Sequence, residues 1–384
     1  MSQADPRRVL GVYLESRATD GGVYQYSRTL LEAALALPRE RYEVRVAWAE
    51  PVWLEHLAGR DGVARRIRRG VLARAAGRAW RTFGLPAAAW RRLTPLFHPV
   101  ARGLRSLACD LWIFPAQDTW AYQAPVEYAY AIHDLMHRYE RRFPEVSAEG
   151  RYAWRENLYS QSCRWARAIL VDSRVGAAQV AESYGVDPAR IHVLPYIVPP
   201  GIARDPPASA LAGLDLPPRF LFYPAQFWSH KNHENLLLAL QRFQDAHLVL
   251  VGSGRNYPLE DRVRALGLEG RVHLLARALV MPTFFGPTNI PPLEAFSHGC
   301  PVAISDIYGM REQLGEAALY FDPLSPDEIA DAIARLWTDE ALRRRLAEAG
   351  RERARGLDQA SFDRRLLDIL DRIEWPAGTS HVRR

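Results

Sequence analysis

The strongest constraint on this chain is a rhythm that it keeps twice. Short apolar runs of strand length alternate with longer segments in which apolar residues recur every three to four positions. In the first series "RVLGVYLE" reads as a buried strand, "GGVYQYSRTLLEAALAL" as a helix opened by a Gly-Gly turn, and "YEVRVAWA" as a strand. "CDLWIFPA", "AYAIHD" and "AILVDS" follow, the last leading into a helix that stops at "SYGVD", and "RIHVLPYI" closes the series. The second series runs through "RFLFYPA", a helix from His233, "AHLVLVGSG", a helix near 258–267, "RVHLLARALVMP", a helix opening at "NIPPLEAF", and "CPVAISD". Three helical patterns end the chain: "SPDEIADAIARLW", "DEALRRRLAEAGRERARG" and "SFDRRLLDILDRIEW". Parallel neighbours need a long crossover, which an intervening helix supplies, so this alternation predicts an α/β fold of two Rossmann-like parallel-sheet domains facing a cleft. The expected boundaries are an N-terminal domain over 1–200, a linker over 201–218, a C-terminal domain over 219–355 and a C-terminal helix over 356–384. The linker is Pro-, Ala- and Gly-rich and aperiodic. In such folds the ligand lies at the carboxyl ends of the strands.

Composition narrows the class. Hydrophobic residues make up 48% and charged residues 24% of the 384, enough apolar material for two real cores and too little in any one run for a spanning helix. The N-terminus "MSQADPRRVLGVYLES" has no leader-peptide pattern, and Cys109, Cys163 and Cys300 are odd in number and far apart. Buried, inert thiols and a cytoplasmic location follow as expectations, with no disulfide framework or metal set. The net charge of +6 is local: Arg60 to Arg105 holds twelve arginines against one acid, Asp61. This argues against a general nucleic-acid binder and for a patch. Val63, Ile67, Val71, Ala75, Ala79 and Phe83 step by four among Arg65, Arg66, Arg68, Arg69, Arg74, Arg78 and Arg81. The stretch reads as an amphipathic helix, either resting on an anionic membrane at its inner face or presenting a solvated face over the N-terminal core.

Three loops that follow strands and open helices have the chemistry of anion sites. Gly21-Gly22 is the first; alone it reads equally as a tight turn. The second holds Lys231, the sole lysine among 50 basic residues. An ammonium is a compact point charge suited to a phosphate, whereas Arg suits planar forks, so a chain that writes its other cations as Arg has kept its one ammonium at a strand-to-helix loop. His230 and His233 flank it without a third ligand of metal-binding spacing. The third is "PTFFGPTNIPPLEAFSHGCPVAISD": Thr288 or Asn289 can cap the helix, Pro291 and Pro292 fall in its first turn, Glu294 lies one turn in, and Gly299 fits a C-terminal stop.

"HKNHENLLLAL", "GPTNIPPLEAFSHGCPVAISD" and "REQLGEAALYFDP" resemble the C-terminal half of family-four glycosyltransferases, retaining enzymes of the glycosyltransferase-B fold. In the N-terminal half the Gly-Gly turn, "AIHDL" and "SRVGAAQVAESYGVDPARIHVLP" agree. The resemblance implies transfer of a hexose, mannose among the candidates, from a nucleotide-diphosphate donor to a carbohydrate or lipid-linked acceptor hydroxyl in bacterial polysaccharide or glycolipid synthesis. It implies no cofactor and no metal, the diphosphate being neutralised by lysine, backbone amides and helix dipoles. It makes the N-terminal domain the acceptor side and the C-terminal domain the nucleotide-sugar side. His133, Lys231 and Glu294 become the catalytic set, and Gly21, Gly22, Gln226, Lys231, Gly286, Thr288, Asn289, Ile290 and Glu294 the donor-binding set. Read without the resemblance, His133 is a strand-end histidine and Glu294 a helix carboxylate. Two positions depart from the family pattern: Gly286 stands where the first of two glutamates is usual, and Gln226 where an arginine is usual. A donor-binding homologue acting as a partner subunit, and an epimerase on the same fold, are the alternatives.

A third departure is a gap. "RVHLLA" and "ALVMP" each read as a buried strand, yet only Arg277 and a neighbour separate them, where the family has a turn and a short helix beside the nucleotide base. Parallel neighbours need about a dozen residues between them. The two halves are therefore expected not to be adjacent; they either fuse into one strand, or one half turns irregular. A shortened, more open base pocket follows, which puts the activity in doubt.

Overall fold

The structure, a computed structural model, describes residues 7–59, 63–67, 75, 80, 86–199, 217, 219–252, 255–273 and 278–376. The linker expected over 201–218 lies outside the described residues except for Pro217. Contacts divide the chain into two units: Met1–His133, Trp154–Pro195 and Ala360–Arg384 form one, Asp134–Ala153 and Tyr196–Gln359 the other.

Unit 1 is built on seven strands: β1 (Arg8–Leu14), β2 (Tyr42–Trp48), β3 (Val63–Arg66), β4 (Leu111–Phe114), β5 (Tyr128–Ile132), β6 (Ala168–Val171) and β7 (Ile191–Val193). All pair in parallel in the order β3-β2-β1-β4-β5-β6-β7, so the winding reverses between β1 and β4. β4, β5 and β6 are buried at every position, which is why they read as unbroken apolar runs. Gly11 on β1 meets the ring of Trp112 on β4, where a Cβ would come within 2.5 Å of it. The last helix, Gln359–Arg372, closes this unit. Asp371 pairs with Arg41 and accepts from the Tyr42 hydroxyl at 3.0 Å, and Phe362, Leu366 and Leu370 are buried.

The expected amphipathic helix fails at its start. Val63–Arg66 is a strand paired with β2, because hydrogen bonding to an open sheet edge outweighs a helical apolar period. Ile67 is core, packed where a Cβ on Gly103 would come within 2.8 Å of it, so it cannot belong to a lipid-facing file. Val71, Ala79 and Phe83 lie outside the described residues. Helices Ala87–Phe97 and Pro99–Ser106 follow.

Unit 2 holds β8 (Leu221–Pro224), β9 (Leu248–Val251), β10 (Val272–His273), β11 (Ala278–Met281), β12 (Val302–Ser305) and β13 (Ala318–Phe321), parallel in the order β10-β9-β8-β11-β12-β13. β13 went unread in the sequence. The two halves of "RVHLLARALVMP" are indeed not neighbours and do not fuse: among the described residues the first half contributes only Val272–His273, as β10, and the second forms β11. β10 is the sheet edge and β11 lies between β8 and β12, with two strands intervening. The backbone pairing each finds with its own neighbour outweighs their closeness in sequence. The joining residues, 274–277, lie outside the described residues. Leu236, Leu248, Val280, Phe296 and Ile304 are fully buried in the core that helices His233–Leu240 and Pro291–Ser297 share with the sheet. Burial pushes the thiols of Cys109 and Cys163 up to about 12 and that of Cys300 to about 11, in keeping with inert cysteines.

Candidate functional site

In unit 2 the chain leaves β8, passes Gln226 and turns through a tight 3-10 stretch, Ser229–Lys231, before the helix His233–Leu240. Hydrogen bonds to both neighbouring loops hold that turn. The Tyr223 hydroxyl donates to the Lys231 carbonyl at 3.0 Å, and the N–H of Phe284, from the loop after β11, donates to the His230 carbonyl at 2.9 Å. Asn232 takes the left-handed conformation, φ 58°, which ends the turn, and its buried amide donates to Pro282 at 2.9 Å and Pro323 at 2.7 Å. The Lys231 turn and the Gly286 loop are thereby stitched together.

Lys231 keeps part of its surface exposed, but its ammonium is desolvated. That lowers its pKa from 10.5 to about 8, while Asp134 and Glu145 work in the opposite direction. Glu145 accepts from His230 Nδ1 at 2.6 Å and from Asn256 at 2.8 Å. Burial would raise its carboxyl, but these bonds bring it down to about 2, so it is an anion. Burial lowers His230 against the pull of Glu145, and takes His233 down to about 3. His233 stacks on Tyr257 at 5.7 Å, and neither of its ring nitrogens has a partner among the described residues. No group of three or more His, Cys, Asp or Glu is placed to hold a metal among the described residues.

The loop after β11 is shaped by Gly286, at φ 136°, where a Cβ would come within 2.7 Å of the Asn289 side chain. Neither Thr288 nor Asn289 caps the next helix: Ile290 is its N-cap, without a side-chain bond, and Pro291 and Pro292 fill the first turn as expected. The N–H of Asn289 donates to Gln313 at 2.9 Å and is therefore already engaged. Thr288 is buried. Glu294 follows one turn into the helix. Burial raises its pKa, His298 opposes this, and its carboxylate accepts no hydrogen bond among the described residues. Gly299 stops the helix at φ 63°.

In unit 1, Gly21 holds φ 58° and ψ −119°, opens the helix Gly22–Leu35 and has open space where a Cβ would point. His133 follows β5; its Nε2 donates to the Pro115 carbonyl at 2.8 Å. Tyr26, on the helix that Gly22 begins, meets the His133 ring edge-on at 4.8 Å. Unit 1 thus groups Gly21, Gly22 and His133 around the ends of β1 and β5, and unit 2 groups Gln226, Lys231, Gly286, Thr288, Asn289, Ile290 and Glu294 around the ends of β8 and β11. Sequence reasoning passed over Glu145, Asp134, Asn232 and Gln313. Only Asn232, a residue tolerant of the left-handed region at a helix start, carried a readable signal.

The family described as "Glycosyl transferases group 1" matches residues 218–339. Among curated proteins, the MMP alpha-(1->4)-mannosyltransferase of Mycolicibacterium hassiacum is 27% identical over 210 residues, 48% of this chain and 49% of that one. The O-antigen chain mannosyltransferase RfbU of Salmonella typhimurium is 26% identical over 183 residues, 43% of this chain and 50% of that one. The chain thus spans about half the length of these curated relatives. Among solved structures, Anabaena HepE in complex with UDP-glucose superposes with a TM-score of 0.70 at 16% identity, covering 94% of this chain and 99% of that one. Sucrose-phosphate synthase from Thermosynechococcus elongatus gives 0.67 at 19% identity over 95% and 98%. The fold is that of glycosyltransferase-B proteins, and within it residues 218–339 match the glycosyl transferases group 1 family.

Proposed function

We propose that the chain transfers a hexose, mannose being the leading candidate, from a nucleoside-diphosphate donor to an acceptor hydroxyl with retention of anomeric configuration. The carrying observation is Lys231: one ammonium, desolvated and bonded through its turn to the Gly286 loop, which leads into a helix whose Glu294 carboxylate accepts no hydrogen bond among the described residues. In this reading Lys231 meets the diphosphate and Glu294 accepts from ribose hydroxyls. The bond between the sugar C1 and the diphosphate oxygen breaks, and Lys231 stabilises the charge that gathers on the leaving group. The acceptor oxygen attacks C1 from the same face and its proton passes to the departing phosphate, so no metal and no covalent nucleophile are needed. His133 would lie beside the transferred sugar. The names of the relatives, mannosyltransferases of an O-antigen chain among them, support the sugar and a polysaccharide or glycolipid acceptor. The alternative of a donor-binding partner subunit gains nothing from relatives named as transferases.

A membrane-facing role is part of the proposal and now rests on different residues. Leu93, Leu96 and Phe97 are exposed at 45%, 72% and 42%, beside exposed Arg92, Arg102 and Arg105, an arrangement suited to anionic lipid. No helix among the described residues is long and apolar enough to cross a membrane. A binding screen of nucleoside-diphosphate sugars with mass analysis of products tests the reading. Lys231→Ala should remove about 1.5–3 kcal/mol of leaving-group stabilisation. Lys231→Arg should rescue it only partly. An unchanged rate and donor affinity in Lys231→Ala would remove the lysine from the mechanism.

A further inference from the structure

The segment 134–153 is the part of unit 2 that its fold does not require. It lies far upstream of the other residues, contributes no strand, and stands outside the stretch 218–339 that carries the family match. It is nevertheless firmly seated. Met136, Phe143 and Val146 form an apolar cluster with Phe285, from the loop that leads into Gly286. The Tyr308 hydroxyl donates to Glu140 at 3.0 Å.

From this seat two carboxylates act on Lys231, Asp134 and Glu145. Glu145 is the more constrained. Its Oε1 accepts from the His230 main-chain N–H at 3.0 Å and from the His230 ring at 2.6 Å, and its Oε2 accepts from Asn256 at 2.8 Å. Its side chain is 5% exposed and that of His230 14%. A carboxylate can only accept, so the ring proton resides on Nδ1. Both bonds from His230 hold the residue next to Lys231, within the short turn whose last member is the lysine.

We propose that Glu145 and His230 form a positioning pair for Lys231, in which Glu145 clamps the Ser229–Lys231 turn through two hydrogen bonds and, with Asp134, presents the counter-charge that the ammonium faces when no diphosphate is bound. The inference rests on the reading of Lys231 as the diphosphate contact. Its physical logic is desolvation: an ammonium in a dry site tends to lose its proton, and a neutral lysine has no charge to offer a phosphate. The other titratable groups facing Lys231 do not supply that charge. Burial lowers His230 in the same turn and His233 at the next helix start, so both are neutral at neutral pH, and Tyr223 donates only to the Lys231 carbonyl.

The sole lysine makes the test direct, because [ε-13C]lysine labelling yields one side-chain signal with no assignment needed. In the wild-type chain that signal should titrate with a midpoint of about 8. Glu145→Gln keeps an acceptor for both His230 donors while it removes the charge and gives up the bond from Asn256, so the midpoint should fall by about one pH unit. Affinity for uridine or guanosine diphosphate should then be lost at a correspondingly lower pH and recover on acidification, which a merely structural role would not produce. His230→Asn preserves a side-chain N–H opposite Glu145 and should leave the midpoint near the wild-type value. Should Glu145→Gln not fold, Asp134→Asn reads the same counter-charge without touching the turn and should also lower the midpoint. A midpoint unmoved in the folded charge-removing variant overturns the inference. A midpoint that falls in a protein binding neither diphosphate upholds the counter-charge and overturns the diphosphate reading instead.

Discussion

Replacing Lys231 with methionine, a neutral side chain of similar length, should stabilise the ligand-free chain while destroying donor binding. The magnitude comes from the desolvated ammonium. At about 1.4 kcal/mol per pH unit, a fall from 10.5 to about 8 is about 3 kcal/mol that the folded state bears and the unfolded state does not. The sign fixes the pH window. Below pH 8 both states hold the proton and the folded chain bears the whole penalty. Between about 8 and 10.5 the folded lysine is neutral while the unfolded one is still charged, so wild-type stability climbs towards that of the variant. Above 10.5 the two should agree. Urea unfolding of both chains at pH 7 and at pH 10 measures the gap, expected at up to about 3 kcal/mol at pH 7 and much smaller at pH 10. A Lys231→Met chain no more stable than wild type at pH 7, or a gap that ignores pH, would refute the claim that the ammonium is held in a dry site.

Glu294→Ala should lower donor affinity about tenfold, roughly 1.4 kcal/mol, by isothermal titration. Its effect on the unliganded fold should have the opposite sign: burial penalises the ionised carboxylate, so the variant gains stability at pH 7 and not below the ordinary carboxylate range. The chain should co-sediment with anionic vesicles at low salt and less so at high salt, and Leu96→Glu should weaken this; absence of binding at low salt ends the membrane proposal. Inserting a crossover of family-like length after Ala276 should raise both donor affinity and discrimination among nucleotide bases, and tight, base-selective binding by the unaltered chain would contradict the idea of a shortened base pocket.

The parallel strands were legible because burial on both faces leaves unbroken apolar runs, as in "LWIF" at β4 and "LVLV" at β9. The helix starts after β1 and β8 were legible from glycine and polar residues. Local reading failed wherever a distant partner decides the outcome. Val63 and Ile67 satisfy a helical period, yet pairing with β2 makes the first a strand residue, and packing beside Gly103 buries the second. Thr288 and Asn289 have capping chemistry, but Gln313 takes the Asn289 N–H and the cap falls to Ile290. Glu145 reaches His230 across 85 residues, and no spacing rule extends that far. Lys231 stood out only because every other basic residue is arginine.

The way the two units share one chain constrains how the protein can be made. A ribosome releases residues 134–153 before any strand of unit 2 exists, and unit 1 lacks its closing helix until Arg372 has been added. Residues 1–200 emerging alone would present Tyr42 without Asp371 and Tyr26 without Phe362, while the Glu145 segment hung from them with no turn to clamp. A cut at 200 therefore separates each unit from residues that it packs with in the whole chain. Unit 1 can complete its core only after the last helix has been made, because Phe362, Leu366 and Leu370 are buried in it.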